Sequence, residues 1–251
     1  MIVDLHSGQY LTPQHLIELL ASAPRLVVGE QHDNPDHHAI ELWLLQALED
    51  RRPQGSLLLE MLEPSQQPLI DRAVEEIKMG VPPADLPTAL GWQKGWDWAL
   101  YGPVLRFSLN KSFSVLAANL DAAEVRQIRE QHSVLQGLNS DASAMRETLL
   151  AQIQDAHGGA LSESQLGGML AVQQHRNRRM AESLMAAPAP AVLFVGSFHA
   201  RKDVGVPLHL ADPHEKALVL ILAEQDATVD SSMADYAWFS TPRPVGSSSC
   251  L

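Results

Sequence analysis

The stretch GEQHDNPDHH, residues 29–38, brings Glu30, His32, His37 and His38 close together directly after an apolar run. A glutamate two positions from a histidine can pass protons and activate water. Mixed imidazole and carboxylate donors can also hold Mn or Zn. Three more polar residues stand in the same relation to other apolar runs: Glu60 lies inside the end of SLLLEM, Asn119 ends FSVLAAN, and His199 lies just past AVLFVG. No Gly-x-Ser-x-Gly elbow is present, and the single cysteine, Cys250, lies in the tail. A serine or cysteine nucleophile is therefore unsupported, and the chemistry on offer is that of Glu30, His32, Glu60 and His199.

The runs that carry these residues are RLVVG (25–29), SLLLEM (56–61), FSVLAAN (113–119), AVLFVG (191–196) and ALVLIL (217–222). Each is short, apolar on both faces and bounded by turn-forming or polar residues, as in strands of a doubly covered parallel sheet. Helical stretches separate them. In NPDHHAIELWLLQALED, Asn34 can cap, Pro35 suits the first turn, and Ile40, Trp43, Leu44 and Leu48 recur at helical spacing. Residues 121–132 and 162–187 read as further helices, and the tail from about 240 reads as loop. The alternation predicts an α/β fold in one domain over 1–251, with a mostly parallel sheet flanked by helices. A smaller helical subdomain is expected from about 63–105 and 130–187. In open α/β sheets ligands sit outside the carboxyl ends of the strands. Glu30, His32, Glu60, Asn119 and His199 are accordingly expected in one cleft.

Composition narrows the partners. A net charge of −12 opposes a phosphate backbone, and Lys and Arg form no long stripe, so nucleic acid is set aside. No apolar window approaches the roughly 20 residues of a membrane span. The N-terminus lacks the basic-then-apolar layout of a secretory signal. One cysteine excludes an internal disulfide. His37 and His38 are expected at a solvated helix start. His6, His15, His132, His157 and His214 are expected on the surface, and His175 with Arg176, Arg178 and Arg179 on a basic helical face.

GEQHDNPDHH, LLLEM, GWDWALYGP, VLAANL and FVGSFHARKDVGVPLHL together, in this order, resemble the ChaN family of haem-binding, iron-regulated proteins. That family shares a superfamily with the Tiki proteases and the erythromycin esterases. The resemblance spans about residues 3–222 and implies a parallel sheet with a smaller helical domain. It also implies a homodimer holding stacked ferric haems, each iron ligated by a tyrosine, with basic groups meeting the propionates. A bacterial cell-envelope lipoprotein engaged in haem or iron uptake is implied as well. The chain departs from the family at Asn177, where an Asp is usual.

A haem site needs apolar walls, an axial ligand and cations for two carboxylates. LGWQKGWDWALYGPVL offers Trp92, Trp96 and Trp98 around Tyr101. Of the three tyrosines, Tyr101 alone lies in a matching motif, so the resemblance makes it the expected iron ligand. His32, His199, Arg201, Lys202, Trp98 and Arg176 complete the expected haem contacts. The competing expectation is a hydrolase that uses Glu30, His32, Glu60 and His199, with a divalent metal or with histidine as general base.

Overall fold

The computed structural model describes residues 1–133 and 135–242. Its strands are β1 (Ile2–Asp4), β2 (Tyr10–Leu11), β3 (Arg25–Glu30), β4 (Ser56–Leu59), β5 (Ser114–Ala117), β6 (Ala191–Gly196), β7 (Leu218–Glu224) and β8 (Tyr236–Ser240). The first five helices are α1 (Pro13–Ala21), α2 (Pro35–Glu49), α3 (Gln67–Lys78), α4 (Leu86–Ala89) and α5 (Trp98–Leu109). They are followed by α6 (Ala122–Gln131), α7 (Ser143–Ala156), α8 (Glu163–Ala186), α9 (Ser197–Ala200) and α10 (Val206–Ala211).

One sheet runs in the order β2-β1-β8-β7-β3-β6-β4-β5. It is parallel from β8 to β5, and β1 pairs antiparallel with both β8 and β2. Alternate residues of each strand face opposite sides, and both sides are covered, so the strands contain no polar alternation. Leu26, Val28, Leu57, Phe194 and Leu220 join Leu16, Leu44 and Leu105 of α1, α2 and α5 in one core. Val27, Leu58, Leu193 and Val219 join Met180 and Leu184 of α8 and Leu210 of α10 in the other. Full burial of each such side chain is worth about 1.5–3 kcal/mol, so the two cores hold α2 and α8 against opposite faces.

The chain therefore leaves β3 towards one face, through α2, and leaves the adjacent β6 towards the other, through α9 and α10. Neighbouring strands whose connections part in this way open a crevice at their carboxyl ends. Two glycines shape its edge. A Cβ on Gly29 would lie 2.6 Å from Ala200 Cβ and 3.0 Å from Ser197 Cα, so Gly29 lets α9 sit directly on β3. A Cβ on Gly196 would lie 2.8 Å from His32 Nε2, so the end of β6 is kept clear for that ring.

The five buried strands expected from the sequence are present with ends shifted by up to two residues. Strands β1, β2 and β8 were not anticipated. The tail expected as loop begins after β8, and Cys250 lies outside the described residues.

Candidate functional site

Glu30 is the last residue of β3, Glu60 follows β4, and His199 sits on the short α9 that follows β6. With His32 they line a cavity of about 580 Å³ at the carboxyl edge of the sheet. That volume falls within the range of small-molecule and cofactor sites. Asn119, expected beside them, stands behind the wall. Its Nδ2 donates to the Glu60 carbonyl at 2.8 Å and its Oδ1 accepts from Leu120 N–H, which fixes the loop that carries Glu60.

Each charged group on the floor is held by specific partners. Glu30, 1% exposed, accepts at Oε1 from His32 Nδ1–H at 2.7 Å and from the Tyr101 hydroxyl at 2.8 Å. Burial alone would lower the His32 pKa. The Glu30 hydrogen bond and the charges of Glu60, Glu30 and Glu41 outweigh it and hold His32 up at about 9, an imidazolium at neutral pH. Glu60 accepts the Gly196 N–H at 2.8 Å and lies 3.5 Å from His199 Nε2. Burial opposes its charge, but His199, His32, the Gly196 amide and Arg176 together keep its carboxyl below the usual range. His199 Nδ1–H donates to Asn177 Oδ1 at 2.6 Å, and burial, Arg176 and His32 push its pKa down. The floor thus pairs a neutral imidazole with an ionised carboxylate beside an imidazolium, a set able to move protons or to bind a cation.

Behind Glu30 lies a second polar group. His38 Nδ1 meets Glu41 Oε2 at 3.1 Å and His38 Nε2 meets the His32 carbonyl at 3.0 Å. Burial raises Glu41 to about 7. His37 accepts the Gln31 N–H at Nδ1 and reaches Ser240 Oγ at Nε2. The expectation of a solvated helix start for His37 and His38 is corrected: both are buried, because the first turn of α2 docks behind the ends of β3 and β8. Asn34 does cap α2, accepting from Asp36 N–H and His37 N–H.

The walls come from helices. Leu149, Gln152, Ile153 and Ala156 form one face of α7, extended by His157 at its C-terminal cap. Met169, Val172, Gln173 and Arg176 form the facing stripe of α8. Both follow the three- and four-residue spacing of a single helix face. Trp96 closes one side, edge-on to His32 with ring centroids 4.8 Å apart. Gln152 Oε1, Gln173 Oε1 and Arg176 Nε, all in these walls, are buried without a hydrogen-bond partner.

Several sequence expectations are corrected here. Tyr101 is 2% exposed and does not line the cavity, because its hydroxyl points inward to Glu30; burial and the Glu30 charge push its pKa up. Its part is to hold Glu30. Trp98 packs on Trp92 and Arg106 beside a separate groove at Pro82 and Pro87, and Trp96 occupies the place expected of it. Arg201 is paired with Asp203 and Lys202 with Asp235, and neither lines the cavity. Arg176 does line it, together with Arg129. His157, expected on the surface, is exposed but also forms part of the wall. His209 went unrecognised in the sequence. It is buried and accepts from Arg178 Nε at 3.0 Å, with no sequence signal beyond its place on the apolar face of α10.

The sequence pattern of the family described as haem-binding uptake, Tiki superfamily, ChaN matches residues 16–210. ChaN of Campylobacter jejuni, in a structure of cofacial haem binding, is 28% identical, with 94% of each chain covered and a TM-score of 0.85. RRSP, a MARTX toxin effector domain from Vibrio vulnificus, is 14% identical over 92% of this chain and 40% of its own, with a TM-score of 0.52. The erythromycin esterase mutant EreC H289N is 12% identical over 96% and 83%, with a TM-score of 0.50. These last two likenesses are of fold alone. No curated protein matches the chain by sequence.

Proposed function

Because the chain belongs to the ChaN family of the Tiki superfamily, we propose that it binds ferric haem in the cavity between α7, α8 and the sheet edge, as part of haem uptake. The observation that carries this reading is the make-up of the wall. Leu149, Ile153, Met169 and Val172 supply an apolar surface, and Arg176 stands among them with a buried, unpartnered Nε. A flat apolar ring with carboxylates at its edge answers both features, since the ring covers the apolar stripes and a carboxylate accepts from the guanidinium. Arg129 at the cavity margin supplies a second cation. When bound, haem would supply a ferric iron able to take a donor from the protein. The Campylobacter jejuni structure of cofacial binding supports a homodimer here, with two cavities facing each other across the interface.

The test is a titration of the purified protein with ferric haem, followed by visible absorption and by mass from light scattering. A saturable spectral change with an end point near one haem per subunit is expected, together with a shift from monomer to dimer, because a ligand shared between subunits stabilises the associated state. A rise without an end point would reject haem binding. Saturable binding with no change in mass would reject the shared interface and leave a pocket within one subunit.

A further inference from the structure

We infer that Glu30, His38 and Glu41 form a buried site for one divalent first-row metal ion such as Zn²⁺, set behind the cavity floor. The inference stands whether or not the cavity takes haem. One donor atom from each of the three residues lies within 4.8 Å of the others. Rotations about the side-chain bonds bring donors so placed to metal-bond lengths of about 2.0–2.2 Å. Glu30 ends β3, while His38 and Glu41 stand three positions apart on α2, a spacing that puts both on one helix face. Neither His38 nor Glu41 lines the cavity.

Two oxygens in the cluster point to a cation. Glu30 Oε2 and Glu41 Oε1 are buried and accept no hydrogen bond. Both residues are 1% exposed, so bulk water does not reach them. Among the described residues no Lys or Arg is paired with either carboxylate, and the groups that meet them are His32, His38 and Tyr101. Folded proteins seldom leave buried carboxylate oxygens without a donor or an ion. A divalent ion offsets both charges at once, where a single proton offsets one.

His38 is set as metal-binding histidines are. Its Nε2 carries the proton, because the His32 carbonyl 3.0 Å away can only accept. The neutral ring therefore offers its lone pair at Nδ1, the side that faces Glu41 Oε2 at 3.1 Å. Donation of the other ring N–H to a backbone carbonyl fixes the tautomer and orientation of a ligand histidine. The Tyr101 ring, edge-on with centroids 4.4 Å apart, holds the imidazole plane. Glu30 uses Oε1 for His32 and Tyr101, so an ion on Oε2 leaves the cavity floor in place and fixes it from behind. One imidazole with two carboxylates suits Zn²⁺ or Mn²⁺ and disfavours soft ions.

Chelator-treated wild type, Glu41→Gln and His199→Gln are titrated with Zn²⁺ by calorimetry and melted with and without it, and zinc X-ray absorption is recorded on loaded wild type. Wild type should bind one equivalent and melt at a higher temperature with it. Glu41→Gln, which keeps the side-chain size, should bind at least about tenfold more weakly and lose the shift in melting. His199→Gln should bind as wild type does. The absorption spectrum should show one imidazole among oxygen donors. No binding by wild type, a Glu41→Gln titration equal to that of wild type, or loss of binding in His199→Gln would overturn the site and leave the haem reading untouched. Should Glu41→Gln not fold, the wild-type spectrum still decides, since two imidazoles around the zinc would put it on His32 and His199 and overturn the assignment.

Discussion

Replacing His32 by Asn should remove a pH-dependent contribution to stability whose size follows from the Glu30 contact. In the unfolded chain His32 titrates near 6.5, and in the folded protein near 9. Because the folded value is the higher one, the contribution is fully present below pH 6.5 and is lost as pH rises through 9. The shift of about 2.5 units, at 1.36 kcal/mol each, sets a ceiling near 3 kcal/mol. One third of the side chain faces solvent, which screens the charges and brings the expected effect to about 2 kcal/mol. The assay is urea unfolding of both proteins at intervals from pH 6 to 10, with the difference in free energy plotted against pH. Glu41, which titrates near 7 through burial, is present in both proteins, so most of its contribution cancels. The wild-type advantage should shrink by about 2 kcal/mol across the range. A difference that stays flat or grows with pH would refute the argument that Glu30 and its neighbours hold His32 charged.

Gly29→Ala should destabilise by about 1–3 kcal/mol in thermal melts, since the added methyl meets backbone and Cβ atoms of α9 with no flexible end to yield; an unchanged melting temperature would show that α9 is free to shift. Asn177→Asp should raise the pKa of His199 in an NMR titration, because Nδ1–H would then face a carboxylate. An unmoved His199 resonance would mean that Asn177 is not its partner in solution.

Apolar runs such as LVVG and VLFV announce central parallel strands from sequence because burial on both faces is a local pattern, and Asn34 with Pro35 announces the start of α2 for the same reason. Strand ends are local features too, so the meeting of Glu30, His32, Glu60 and His199 followed once a parallel sheet was granted. What packs around those ends is not local. Strand β1 forms only by pairing Ile2 with Leu11 and with Trp238, a partnership with no trace in the short segment IVD itself. His37 and His38 read as solvated because helix starts usually are, and only the docking of α2 behind β3 buries them. Lys202 reads as a free cation until the fold brings Asp235 against it, whereas the partner of Arg201, Asp203, stands only two positions along the chain. Tyr101 is decided in the same way. Sequence supplies a phenol, but the direction in which it points is set by long-range packing, which turns it onto Glu30 inside the wall.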